Sequence, residues 1–515
     1  MLGAGMFLAA APLRAQMPKD FDKFVNATLQ RFETPAVAVA VVKDGKILVA
    51  NGYGIRKLGD PTRADSHTRF GIASNTKAFT ALALGLLVEE GKIKWDAPVI
   101  DYLPWFQMYD PWVTRELTVR DLLVHRSGFG LGAGDLLWWP PSTWPRDSVS
   151  RRLKYIPPVR SFRSGYAYDN VLYLVAGQVI EAVSGQSWED FVTSRLLRPV
   201  GMKDATVHHS DAGQPGANQA ATHARVDGRM QLIPPFLSDN TNPAGGINAS
   251  AEDMAHWLIA QLDSGMVNGK RLWSPATTRA QWSLVTPLNP GRAPKELAPR
   301  STNFLGYGLG FFIQDYRGMK IVTHTGGLPG YLSRVIMVPE KNVGVAVLSN
   351  GESEAFEAIA WQALDDALGA PRFDWVNGYA TLSARSDSAN AAAEQQAAAE
   401  RDSTAGPALP IARYAGTYRD DWYGDVGITN DNGKLVMQFS HTPSLLGDLV
   451  HWQYETFLVH WRDRTLRADA FVTFNMDADG QVVSARMVPA SPAVDFSFDF
   501  QDLHLKRVPD AKPGS

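Results

Sequence analysis

Residues 70–91 read Phe70-Gly71-Ile72-Ala73-Ser74-Asn75-Thr76-Lys77, then AFTALALGLLVEEG. Phe79, Leu82, Leu86 and Leu87 fall at helical spacing, and Gly91 stands where such a helix would stop, so the spacing predicts a helix over 75–91. Ser74 lies at its start and Lys77 one turn later on the same face. A helix N-terminus offers free N–H groups and positive potential, which favour an anionic nucleophile or oxyanion. A lysine in that field loses its proton more readily, and a neutral Lys77 could act as a base toward Ser74. Ser-x-x-Lys also arises by chance. Ser74 could equally cap the helix while Lys77 faces water.

Two further segments could meet this one. Tyr168-Asp169-Asn170 opens the apolar helical pattern VLYLVAGQVIEAVSG. A phenol near Lys77 could relay protons, and Asn170 could bond the lysine or a substrate carbonyl; taken alone, Asn170 capping the helix with Tyr168 packed beside it is the favoured account. His324-Thr325-Gly326-Gly327 ends a predicted strand. Glycines let backbone approach a substrate closely, and the N–H of Gly327 could pair with that of Ser74 as an oxyanion hole, although a plain turn fits the same residues.

In combination, these segments resemble the serine β-lactamases, penicillin-binding proteins and related esterases and D-peptidases, for which Ser-x-x-Lys with a Lys-Thr-Gly element is a signature. The flanks agree: Phe70–Ala73, Thr118–Gly128 (TVRDLLVHRSG), Asn242–Leu258 (NPAGGINASAEDMAHWL) and Tyr307-Gly308-Leu309-Gly310 match further family segments. The resemblance spans residues 20–370. It implies Ser74 as acylated nucleophile, Lys77 as its proton partner and Tyr168 as general base. Asn170, His324, Thr325, Gly326 and Gly327 would bind substrate. The Tyr-x-Asn motif is nearer the class C β-lactamase and D-aminopeptidase branch. His324 stands where many members have lysine, which argues for a peptide, amino-acid amide or ester substrate over a penicillin. A β-lactamase or D-Ala-D-Ala carboxypeptidase is the alternative. A non-catalytic binding or scaffolding protein would not need this nucleophile and its bases together.

The expected fold is α/β (α+β): a β-lactamase/transpeptidase-like antiparallel sheet flanked by helices plus a helical lobe, then a small all-β C-terminal barrel or sandwich. A hairpin is expected over 36–57 about Asp44-Gly45, helices at 171–184, 251–264 and 352–368, and strands at 306–314, 320–327, 332–339 and 343–350. Five tryptophans, Trp105, Trp112, Trp138, Trp139 and Trp144, crowd the lobe and suit core packing or a groove wall. Ser250 and Asp253 read as a capping box. Residues 383–410 are rich in Ala, Ser and Gln and read as a linker with at most a short exposed helix. Short strands return from Arg413, and Tyr414–Tyr418 with His451-Trp452 resembles the small β domain appended to many such hydrolases; bordering the active site and mere stabilisation are equal readings of it. The domains expected are 18–372 for the hydrolase, 373–410 for the linker and 411–508 for the β domain, with a tail at 509–515.

Composition sets the limits. The chain has 515 residues, 45% hydrophobic and 20% charged, with net charge −3 and no cysteine. That excludes disulfides and thiolate chemistry, and no basic run supports nucleic-acid binding. No metal or organic cofactor is implied. The expected partner is a small-molecule or short-peptide substrate, with no stable membrane insertion; oligomeric state stays open. Leu2–Leu13 is apolar yet too short to cross a bilayer and resembles the end of a signal peptide, so residues 1–17 are read as its remnant and the protein as periplasmic or secreted.

Overall fold

The computed structural model describes residues 16–509, so most of the signal-like segment 1–17 and of the tail 509–515 lies outside the described residues. Its longer helices are α1 (Phe21–Phe32), α2 (Lys77–Glu89), α3 (Val171–Ser184), α4 (Ala251–Leu262), α5 (Ala355–Leu368) and α6 (Trp375–Ala399). The hydrolase-domain strands are β1 (Ala36–Lys43), β2 (Lys46–Lys57), β3 (Asp60–Arg63), β4 (Thr286–Leu288), β5 (Leu305–Tyr307), β6 (Phe312–Tyr316), β7 (Met319–Leu328), β8 (Tyr331–Val338) and β9 (Val343–Ser349).

The β1–β2 hairpin turns on Asp44 and Gly45, with φ of 51° and 70°, the two left-handed residues a tight hairpin demands. The alternation AVAVAVV in β1 then separates two buried faces. Val37, Val39 and Val41 pack with α1 and α5, while Ala36, Ala38 and Ala40 join the core containing α4 and the lobe. Small residues on that second face let α4 lie close. A Cβ on Gly344 of β9 would stand only 3.1 Å from Leu258 of α4. Ser250 and Asp253 do form a reciprocal capping box at the start of α4.

Among the described residues the sheet has nine strands in the order β4-β5-β6-β7-β8-β9-β1-β2-β3, with antiparallel neighbours. β1 lies against β9, with Val41 opposite Val345, so both ends of the domain share one sheet as the sequence suggested. The expected strand 306–314 is instead the hairpin β5–β6. Its turn carries Gly310 at φ 81°, where a Cβ would meet Lys77 O at 2.8 Å, so the glycine is needed where this turn touches the start of α2.

The expected linker is largely α6, 25 residues long. Asp374 caps it, Trp375 Nε1 donates to Asp365 at 3.0 Å, and Tyr379 donates to Glu357 at 3.1 Å. Beyond these anchors the helix is mostly exposed and alanine-rich; alanine's high helix propensity suits it to persist without a core contact.

Eight strands, counted among the described residues, close the C-terminal barrel: β10 (Gly416–Asp420), β11 (Gly424–Asp431), β12 (Lys434–Phe439), β13 (Leu446–Gln453), β14 (Thr456–Trp461), β15 (Ala470–Met476), β16 (Val482–Pro489) and β17 (Leu505–Arg507). Tyr414, Phe439, Phe457, Trp461 and Phe474 fill its interior. The connection from β16 to β17 leaves the barrel and runs to the hydrolase domain, where Phe496 packs on Gly132. No helix of the described residues is long and apolar enough to cross a membrane.

Candidate active site

Ser74 sits in a 3₁₀ turn, Ala73–Thr76, that runs into α2. Ala73 takes a left-handed φ of 48°, a conformation that costs a non-glycine residue on the order of 1–3 kcal/mol. Neighbours hold it there. Ile72 N–H donates to Ile247 O at 2.9 Å, and Ser333 Oγ of β8 donates to Ile72 O at 2.7 Å while accepting from Asn75 Nδ2 at 2.8 Å. Gly326 of β7 completes the clamp, because a Cβ there would lie 2.3 Å from Ile72 O. The sheet edge therefore touches the turn that carries the serine.

Lys77 is fully buried. Its Nζ lies 2.9 Å from Ser74 Oγ, 2.7 Å from Asn170 Oδ1 and 3.1 Å from Ala244 O. Burial pulls its pKa down to about 7, against the opposing pull of Asp135 and Asp169. Two of the three partners only accept hydrogen bonds. When the amine is neutral, its two N–H bonds serve Asn170 and Ala244, and its lone pair is left for the one partner able to donate, the Ser74 hydroxyl.

Tyr168 borders the same centre, with Lys77 Nζ 4.9 Å from its ring centroid. Burial raises the phenol's pKa, the Ser74 hydroxyl opposes this as a hydrogen-bond partner, and Asp135 and Asp169 add to the rise. The resting group is thus a protonated phenol beside the Ser74 hydroxyl.

His324 lines the cleft over Ser74. It is 2% exposed, its Nε2 is 2.8 Å from the Tyr307 hydroxyl, and its Nδ1 bonds the Thr325 carbonyl. A carbonyl only accepts, so Nδ1 carries the proton and Nε2 accepts from Tyr307. Burial holds its pKa well below the usual value, and Lys77 lowers it further. This histidine forms a neutral wall with both nitrogens occupied and is not a free anchor for a carboxylate. Thr325 and Gly327 line the cleft beside it; Gly326 serves the clamp.

The cleft over Ser74 encloses about 330 Å³. Trp138, Trp139, Tyr166, Phe312, Leu131 and Phe496 give it apolar walls, and among the described residues no lysine or arginine lines it. Trp138 and Trp139 are both core residues and cleft wall, so their two readings coincide. Trp144 instead stacks on His441 of the barrel, with ring centroids 3.6 Å apart. Of the adjacent pair His208 and His209, the second is buried against the cleft and held neutral, its pKa lowered to about 4 by burial.

Sequence reasoning missed one group. Asp135, fully buried, accepts from Asn170 Nδ2 at 2.8 Å, from Trp138 Nε1 at 2.9 Å and from Ser497 Oγ of the barrel at 2.9 Å. The available signal was an acid inside the apolar run GDLLWW. Nothing local pointed to Ser497. Among the described residues no group of three or more His, Cys, Asp or Glu is placed to hold a metal ion.

Comparison with known proteins places the chain in a family and a fold. A family model described as Beta-lactamase matches residues 21–369, and one described as a domain of unknown function (DUF3471) matches residues 400–507. The unguisins hydrolase ungD of Aspergillus violaceofuscus (strain CBS 115571) is 30% identical over 444 residues, 81% of this chain and 77% of its own length. The octameric penicillin-binding protein homologue from Pyrococcus abyssi superposes with a TM-score of 0.57 at 21% identity, covering 95% of this chain and 99% of that one. The D-amino acid amidase from Ochrobactrum anthropi SV3, complexed with L-phenylalanine, gives a TM-score of 0.56 at 21% identity, covering 68% and 97%. These two solved structures share the fold.

Proposed function

The chain belongs to the beta-lactamase family, and from that premise we propose that it is a serine hydrolase that cleaves small amide, peptide or ester substrates through an acyl-enzyme. The observation that carries the reading is the Lys77 amine, 2.9 Å from Ser74 Oγ with its other two partners able only to accept. Neutral Lys77 takes the Ser74 proton as Oγ forms a bond to the substrate carbonyl carbon. The carbonyl oxygen gains the negative charge, and the N–H groups of Ser74 and Gly327 receive it. When the carbon–nitrogen or carbon–oxygen bond breaks, the proton on Lys77 returns to the leaving group through the Tyr168 hydroxyl. Water then attacks the ester carbon on Ser74 and loses its proton to the same pair; as the bond between the acyl carbon and Oγ breaks, that proton passes to Oγ, freeing the serine and releasing the acid.

The walls narrow the substrate. A neutral His324 and a cleft without cations favour an apolar acyl group whose scissile bond is not flanked by a free carboxylate. This ranks amides, internal peptide bonds and esters above penicillins and D-Ala-D-Ala termini.

The test is covalent. A fluorophosphonate adduct is expected on Ser74 by mass spectrometry, absent in Ser74→Ala. Rates on D- and L-amino-acid anilides, p-nitrophenyl esters and nitrocefin are expected to rank nitrocefin last. Absence of any adduct at Ser74 would end the proposal.

A further inference from the structure

We propose that the barrel completes the catalytic centre: Ser497, acting through Asp135 and Asn170, is a positioning residue for the Lys77 amine. This rests on the reading of Ser74 and Lys77 as nucleophile and base.

The path is continuous and its directions are fixed. Ser497 Oγ donates to Asp135 Oδ2 at 2.9 Å, across 362 residues of sequence. Asn170 Nδ2 donates to that same oxygen at 2.8 Å, and Asn170 Oδ1 accepts from Lys77 at 2.7 Å. In its ionised form Asp135 only accepts, and it then turns the Asn170 amide with its N–H inward and its carbonyl to the lysine. A flipped amide would set N–H against N–H at Lys77. Trp138 Nε1 occupies the other carboxylate oxygen at 2.9 Å. All three links are buried, with Asp135 at 0%, Ser497 at 4% and Asn170 at 5% exposure.

A second set of contacts from the same barrel segment holds the loop that bears Asp135. The Asp499 carboxylate accepts the N–H of Gly134 at 2.7 Å and of Leu136 at 3.0 Å, the residues on either side of Asp135. Phe496 presses on Gly132, where a Cβ would lie 2.8 Å from its ring. The barrel therefore grips both the backbone and the side chain of this loop.

Charge follows the same route. Asp135 faces Lys77 from the lobe and Asp169 from the start of α3, with His125, His209 and His324 also facing the amine, while Asp499 of the barrel segment faces Asp135. Burial lifts Asp135 to about 7, and the donors Trp138, Asn170 and Ser497 oppose the rise, as does Lys77. Losing the Ser497 donor leaves Asp135 more often protonated near neutral pH. Lys77 then feels less negative charge and gives up its proton at lower pH. Asp135→Asn acts in the same direction.

The experiment follows the rate of Ser74 labelling by a fluorophosphonate from pH 5 to 10 in the full chain. Wild type, Ser497→Ala and Asp135→Asn are compared with His441→Ala, which loosens a different barrel contact, the Trp144 stack. Thermal unfolding checks that each variant is folded at the assay temperature. The expected result is that labelling at pH 8 falls by about tenfold or more in Ser497→Ala and Asp135→Asn. Their acid limb moves down by about one pH unit, while that of His441→Ala stays in place. Wild-type labelling with an unmoved rate and limb in both Ser497→Ala and Asp135→Asn would overturn the inference and leave the hydrolase reading standing. An equal shift in His441→Ala would reduce the barrel to a structural prop and also overturn it. No labelling of wild-type Ser74 would instead remove the hydrolase reading itself.

Discussion

Replacing Gly326 by alanine is expected to slow Ser74 acylation by about 100-fold. A Cβ at that position would stand 2.3 Å from Ile72 O, 2.5 Å from Ser333 Oγ and 3.0 Å from Ala73 Cβ. Comfortable contact is about 3.5 Å, so strand β7 and the nucleophile turn must separate by about 1 Å. Neither neighbour yields easily. Ile72 O is backbone, and Ser333 Oγ is fixed between Ile72 O and Asn75 Nδ2 at 2.7 and 2.8 Å. The separation moves the serine away from the sheet edge that would receive the oxyanion, and about 1 Å of misplacement is worth about 100-fold in rate. Overpacking should also destabilise by about 1–3 kcal/mol. Gly427→Ala, in barrel strand β11, is the control. Its Cβ would meet nothing within 4 Å, and neither glycine uses a left-handed φ. Fluorophosphonate labelling gives the acylation rate and urea unfolding the stability. A Gly326→Ala rate within a few-fold of wild type, or equal damage from Gly427→Ala, would refute the argument that contact at this point sets the nucleophile.

Lys77→Arg should lower acylation by about 100-fold or more, since a guanidinium stays charged and cannot take the proton; in wild type the labelling rate should rise as pH passes about 7, where Lys77 becomes neutral. Burial should place the midpoint of the His324 imidazole NMR titration well below the ordinary histidine value. Glu357→Ala should cost about 3–5 kcal/mol of stability, measured by chemical unfolding, because it strands the buried Arg334. Burial pushes the Glu357 carboxyl up, but Arg334 and Arg300 outweigh it and hold it below the ordinary value. The folded pKa is thus depressed, so this stabilisation is present above the unfolded carboxylate pKa and is lost as pH falls through the folded value. Glu357→Ala should flatten that part of the acid dependence.

What the sequence discloses depends on distance along the chain. Ser74 and Lys77 are one helical turn apart and Asp44-Gly45 is a two-residue turn, so local rules reach both. The sequence reads the β5–β6 hairpin as one strand because Gly310 answers to a neighbour far away, the Lys77 carbonyl, and not to its own segment. It reads helix α6 as a linker because alanine-rich sequence lacks an apolar stripe, although the same alanines favour a helix without one. Asp135 and Ser497 carry no shared local pattern. Only the docking of the barrel brings them together.

The placement of β1 has a consequence for synthesis. Between its ladder with β2 and its ladder with β9, AVAVAVV is apolar on both faces, and the second partner, Val343–Ser349, emerges roughly 300 residues later. At a ribosomal pace of 5–20 residues per second this is a delay of about 15–60 s. During that interval a β-branched, uncharged segment has an unpaired edge, the composition from which intermolecular stacking grows. Yield in a heterologous host should therefore respond to holdase chaperones and to growth temperature before it responds to any change in the active centre.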